Sequence, residues 1–211
     1  MNKHLPLFLL FIVVTVLVWS GIEPYGRTTW VMEVAPVLIA IPLLLATYRR
    51  FQLSQLAYVL IAIHAVILMV GGHYTYARVP AGDWLKDLLD LSRNHYDRLG
   101  HLAQGFIPAI LAREILLRTS PLRKGGWLRI IVVAICLAIS ASYELIEWAS
   151  TVFAGDASED FLGTQGDVWD AQKDMLMALL GSIAALITLS RLHDRSMGQV
   201  TGLSVDMSRF R

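Results

Sequence analysis

The stretch WLRIIVVAICLAISASYELIEW, Trp127 to Trp148, decides the fold class. A bilayer core about 30 Å thick takes roughly 20 apolar residues as a helix. This run has that length, with a tryptophan at each end where an aromatic belt lies. Its last two turns differ in character. Ser140, Tyr143, Glu144 and Glu147 recur at helical spacing and make one polar stripe on an otherwise apolar rod.

Outward from it lie five more segments. Leu5 to Ser20 (LPLFLLFIVVTVLVWS) is nearly uninterrupted, and 30–48 carries Glu33, Pro36 and Pro42. Segment 55–72 has His64 near its middle, 95–117 is polar in its first half, and 170–189 is polar only at its start. The reading is an all-α integral membrane protein: a single bundle of six transmembrane helices over 1–192, with a short cytoplasmic tail at 193–211. Composition agrees. The 211 residues are 55% hydrophobic and 17% charged, with a mean hydropathy of +0.55, whereas soluble domains are about one-quarter charged. That excludes a disordered, collagenous or disulfide-stapled chain and disfavours a soluble enzyme. The single cysteine, Cys136, reads as a small buried hydrophobe. The net charge of +1 carries no nucleic-acid signal, so membrane lipids are the partners expected.

The first segment also fits a signal peptide, with Val18-Trp19-Ser20 as a passable cleavage site. Its length, and a tryptophan just before the small residue, favour an uncleaved anchor. Orientation follows from the basic residues. With the N-terminus cytoplasmic, Lys3, Arg49, Arg50, Arg113, Arg118, Arg123, Lys124, Arg129, Arg191, Arg195, Arg209 and Arg211 face inside, which is most of the 18 Lys and Arg. Glu114, Asp194 and Asp206 are the acids on that side, out of 17. Both termini are therefore expected in the cytoplasm.

With that topology the intramembrane polar residues collect in the outer half. The fourth segment enters with Asn94, Asp97, Arg98, His101 and Gln104 on one stripe. The fifth leaves with Glu144 and Glu147, and the sixth enters with Asp167, Asp170 and Asp174. Charge at membrane depth is expensive unless it is paired or hydrated, so its default reading is functional. Acids outnumber Arg98 and Lys173 here, which calls for a bound cation, shared protons or a cationic substrate to balance them. Mixed histidine and carboxylate ligands suit Zn, Mn or Fe. The expected divalent-metal ligands are His101, Glu144, Asp170 and Asp174, with His95 and His73 as weaker members. Glu147 or Asp97 would serve as base, and Arg98 would hold an anionic headgroup. Ser92-Arg93 followed by His101 misses a membrane-phosphatase pattern by two residues and is rejected. His64 reads as a hydrogen-bonded core histidine, Pro36 and Pro42 as tolerated kinks, and Gly71-Gly72 as a helix end or a site of close packing. The segment 72–93 reads as an amphipathic helix on the outer surface.

The runs VMEVAPVLIAIPLLLATYRRF, LMVGGHYTYARVP, LSRNHYDRLGHLAQGF and YELIEW resemble the YjdF-type bacterial inner-membrane proteins, over nearly the whole chain to about Leu192. That resemblance implies an inner-membrane location and supplies no chemistry. A weaker similarity, to VanZ-like proteins, rests on Asp97, Arg98 and His101, then Glu144 and Glu147, then Asp170, Asp174, Ala178 and Gly181. Arg for Lys, Glu for Gln and Asp for Asn depart from that pattern and make this site more acidic. It implies a lipid or envelope substrate. Three functions are weighed on these residues: a metal-dependent enzyme open to the outer leaflet, a carrier for a cation or small solute, and a structural or accessory protein with charges as helix-pairing glue. A carrier needs polar lining in the inner half, and no charged residue interrupts Ile130 to Ile139 or Met175 to Ser190.

Overall fold

A computed structural model of the chain describes residues 4–154 and 164–201. Within them run seven α-helices and no strand: α1 (Leu5–Ser20), α2 (Arg27–Thr47), α3 (Gln55–Tyr74), α4 (Pro80–Leu88), α5 (Tyr96–Thr119), α6 (Gly126–Ala154) and α7 (Asp170–Thr201). Four of them, α2, α3, α6 and α7, are long and apolar enough to cross a membrane, and α1 is a shorter apolar helix. α5 is absent from that set because Asp97, Arg98, Arg113, Glu114 and Arg118 break its hydropathy. α7 runs past Leu189 to Thr201, so residues 193–201, read from sequence as tail, are helical. Residues 202–211 lie outside the described part, as do Asp156, Glu159 and Asp160, which the sequence reading set on the outer side.

The bundle has two halves that meet at α3. α1 and α2 both pack on α3, burying Val13, Val34, Val37, Ala62, Ala65 and Met69. α5, α6 and α7 pack on one another and join α3 through α5, around Ile107, Ile110, Val132, Cys136 and Ala185. Outward-facing side chains are apolar and exposed, among them Phe8, Phe11, Ile39, Leu43, Ile130 and Ile187. Water does not tolerate so much uncovered apolar surface on a monomer, whereas lipid does. Trp127 and Trp148 stand exposed near the two ends of α6. α4, the amphipathic helix expected between Gly72 and Arg93, turns Trp84, Leu88 and neighbouring Leu89 outward.

The tightest junction is α5 on α7. A Cβ added at Gly105 would run into the carbonyl of Ala178, and one at Gly181 into the carbonyl of Leu102. Small residues let two backbones approach this closely. Gly71 does a different job: its missing side chain makes room for the Tyr76 ring, which also faces Gly100 of α5. Gly72 packs against Glu33 and Val34 of α2. α3 therefore does not end at the glycine pair; it continues through His73 to Tyr74.

Gly105→Ala is expected to lower stability by about 1–3 kcal/mol, the usual range for overpacking. Gly125, which has open space around it, should accept alanine within about 0.5 kcal/mol. Thermal or denaturant unfolding in detergent reads both. Equal tolerance at the two glycines would contradict the close α5–α7 approach.

Candidate functional site

The start of α5, the C-terminal part of α6 and the start of α7 converge, with α2 alongside. Asn94 sets the start of α5. Its side-chain oxygen accepts from the Tyr96 N–H at 3.0 Å, and its Nδ2 donates to the Val79 carbonyl at 3.0 Å and to Asp83 at 2.9 Å. Gln165 pairs with the Asn94 backbone in both directions, at 3.0 and 2.9 Å. One buried amide thereby ties the turn before α4, the first turn of α5 and the loop before α7. Asn94 and its neighbours are why the block RNHYDRLGH presents Asp97 and His101 inward.

Arg93 is the buried cation of this region. Its guanidinium bonds Asp170, donates to the Thr164 carbonyl at 3.1 Å, and lies 3.7 Å from Asp167 and 3.9 Å from Asp97. Its side chain is 6% exposed, against 21% for Arg98. Arg98 instead reaches Asp167 at 2.7 Å and the His95 ring at 3.2 Å. This corrects the sequence reading in two places. The main cation is Arg93, not Arg98, and Asp170, proposed as a metal ligand, has its carboxylate on Arg93. The i,i+4 spacing of Arg93 and Asp97 was the available signal for the first point. Asp167 also accepts from Lys173 at 2.6 Å, and that bond holds its carboxyl below the usual carboxylate range. A depressed folded value means this link stabilises at neutral pH and is lost as pH falls through that value.

Deeper in, Asp97, His101 and Asp174 each offer a ligand atom, all within 4.8 Å of one another. Glu144 Oε1 is 3.5 Å from His101 Nε2, and Asp97 Oδ1 is 3.7 Å from it. Ligand atoms about 2.1 Å from one ion stand up to about 4 Å apart, so small rotations bring this group onto one centre. His101 is 5% and Asp174 2% exposed, yet His101 Nδ1 and Asp174 Oδ1 have no hydrogen-bond partner, nor has Glu144 Oε1. Buried polar atoms are nearly always bonded, and exceptions call for an explanation. The two weaker sequence candidates stand elsewhere. His73 Nδ1 lies 3.0 Å from the Ser20 carbonyl with its ring on Trp19, and His95 faces Arg98.

Asp97 and His101 of this group line the head of a cleft of about 580 Å³. Glu33, Tyr76, Asp97, His101, Tyr143 and Glu147 line its outer end, where Tyr143 donates to Glu33 at 3.0 Å. Its body is apolar except for His64 and Gln104, and Tyr48, Arg49 and Tyr58 line its far end. His64 corrects another expectation: its Nε2 has no hydrogen-bond partner.

The profile of the family described as "Predicted membrane protein (DUF2238)" matches residues 5–195. The chain belongs to this family. Among its relatives is "Inner membrane protein YjdF" of Escherichia coli (strain K12), 51% identical over 190 residues, 89% of this chain and 91% of that one. The YjdF-type resemblance of the sequence is thus established, while these comparisons lend the VanZ-like one no support. No solved structure matches.

Sequence reasoning missed a second polar cluster, at the other end of α5 and α7. Glu114, fully buried, accepts from the Ser54 N–H and hydroxyl at 2.8 and 2.6 Å and from Arg118 at 2.6 Å. His193 Nε2 lies 3.0 Å from the same carboxylate, and its Nδ1 lies 2.9 Å from Arg113, which also pairs with Asp194 at 2.7 Å. His193 had been assigned to the tail, so its partnership with Glu114 had no sequence signal.

Arg93→Ala should cost roughly 3–5 kcal/mol, the range for removing one partner of a buried ion pair. Arg98→Ala, at a more exposed pair, should cost about 1 kcal/mol or less. Melting of the two variants in the same detergent compares them. An Arg98 loss equal to or greater than the Arg93 loss would contradict this assignment.

Proposed function

We propose that the chain is a multi-pass inner-membrane protein with six spans, α1, α2, α3, α5, α6 and α7, and both termini in the cytoplasm. Its His/carboxylate cluster then opens toward the outer leaflet and works as a metal-dependent enzyme on a lipid or envelope substrate. The location follows the YjdF relative, and the orientation follows the bias of Lys and Arg toward one side. α5 is counted as a span because His101 faces Glu144 of α6 and Arg113 and Glu114 pair with Asp194 and His193 of α7, which is how ionisable residues are carried through a bilayer.

The observation that carries the reading is the trio Asp97, His101 and Asp174, with unpartnered buried atoms on His101 and Asp174, beside a lipid-sized cleft that Asp97 and His101 line. A nitrogen and two carboxylate oxygens suit Zn, Mn or Fe, with Glu144 beside His101 as a fourth ligand. Such an ion would polarise a substrate oxygen or activate water. This chain's own residues do the rest. Glu147, on the cleft wall one turn from Glu144, takes the proton as general base. Tyr143 and Glu33 orient the substrate's polar end, and Arg93 with Asp170 holds α5 and α7 in register. A carrier fits less well, because the Glu114–His193–Arg113 cluster binds the inner end of the α5–α7 pair closed.

Purified protein should hold about one divalent ion, and a chelator should lower its melting temperature, since an ion bound to the folded state stabilises it by mass action. His101→Ala and Asp174→Ala should abolish both effects, while Asp170→Asn should spare the metal and lower the melting temperature. Metal-free wild-type protein, indifferent to chelator, would overturn the metal reading. Reporters fused after Arg50 or Lys124 should behave as cytoplasmic and one after Asp83 as external; the opposite result at Asp83 would overturn the orientation.

A further inference from the structure

The cleft is much larger than a metal site. At about 580 Å³ it falls within the roughly 300–1,000 Å³ of small-molecule sites. α2 packs on α3, and α6 packs on α5 and α7, so a trough runs down between α2 and the α5–α6 pair. Val37, Ala40, Ile41 and Leu44 of α2 face Ile107 and Leu111 of α5 across it. The trough is a hydrocarbon channel that runs from the carboxyl-rich end to a far end lined by Tyr48, Arg49 and Tyr58.

The chemistry of the carboxyl-rich end is one-sided. Glu33, Asp97, Glu147, Tyr143 and His101 line it, while Arg93 and Arg98 are turned onto Asp170 and Asp167 and do not. An anionic headgroup placed at this end would meet carboxyls, and Arg98, which the sequence reading gives to a headgroup, pairs with Asp167 instead. Even with a divalent ion on Asp97, His101 and Asp174, Glu33 and Glu147 still face the space. Hydroxyls or an amine, by contrast, find acceptors on several sides. Lower in the channel, His64 lies ten residues, about 15 Å at 1.5 Å per residue, below the outer end of α3. Its unpartnered Nε2 is a polar atom set into the apolar wall.

We propose that the cleft binds one membrane amphiphile whose headgroup donates hydrogen bonds, through hydroxyls or an amine, and is not a bare phosphate. Its tail lies in the α2–α5 trough. This rests on the reading that the outer site acts on a lipid, and it names the headgroup that the site accepts.

The test uses the full chain in phosphatidylcholine nanodiscs, with three probes of equal chain length: monolauroylglycerol, dodecylamine and dodecyl phosphate. Binding is read by native mass spectrometry and by competition against a fluorescent fatty amide. The glycerol ester, the amine or both should bind, at least about tenfold more tightly than the phosphate; which of them binds distinguishes a polyol head from an amine. Ala40→Trp, which fills the trough, should abolish binding with the fold retained by circular dichroism. A phosphate probe that binds as tightly as the others, or binding that survives Ala40→Trp, would overturn the proposal. Metal content is measured on the same samples. Metal-loaded protein that binds no probe overturns this inference alone, and metal-free protein that binds a probe overturns the metal reading alone.

Discussion

Buried ionisable groups need partners, and this protein supplies them by clamping α5 to α7. At one end Arg93, just before α5, holds Asp170, the first residue of α7. At the other end Arg113 and Glu114 of α5 bind Asp194 and His193 of α7. Between the clamps, Gly105 and Gly181 let the two backbones touch. Lipid gives no hydrophobic drive for helix association, so close packing and polar pairing must supply it. The rest of the bundle hangs on this pair: α6 packs on both helices, and α3 brings the α1–α2 half against α5.

The Arg93–Asp170 clamp also fixes what remains for chemistry. With Asp170 on Arg93 and Asp167 on Arg98 and Lys173, the nearby loop and first-turn acids are neutralised. Asp97, Asp174 and Glu144 remain around His101, and Asp97 with Glu33 and Glu147 lines the start of the cleft. Structure and site are therefore one arrangement. The ion pairs that hold the helices in register leave a surplus of carboxyls on the side away from the arginines.

Much of this was legible in the sequence. Runs such as Leu5–Ser20 and Trp127–Trp148 declare helices because backbone polar groups in lipid must bond within the segment. The stripe Asp97, His101, Gln104 and the stripe Glu144, Glu147 follow from helical period alone. What failed was pairing across elements. Helical spacing says that Arg93 and Arg98 stand near Asp97, but which of the two reaches Asp170 depends on the Asn94–Gln165 junction, 71 residues apart in the chain. The Glu114–His193 pair spans a similar separation. The end of α7 was missed because hydropathy drops at Arg191 while helix propensity does not. His73 and His101 look alike in sequence, and only packing turns one onto Trp19 and the other into the cluster.

The central claim is that the surplus carboxyls and His101 form a single metal-binding centre inside the outer half of the bundle. X-ray absorption at the edge of the bound ion tests it most directly. The account predicts one imidazole shell near 2.0–2.1 Å with carboxylate oxygens at about 2.0–2.2 Å, the imidazole signal vanishing in His101→Gln. A spectrum of oxygen ligands alone in the wild-type protein, or an imidazole signal that persists without His101, would contradict it.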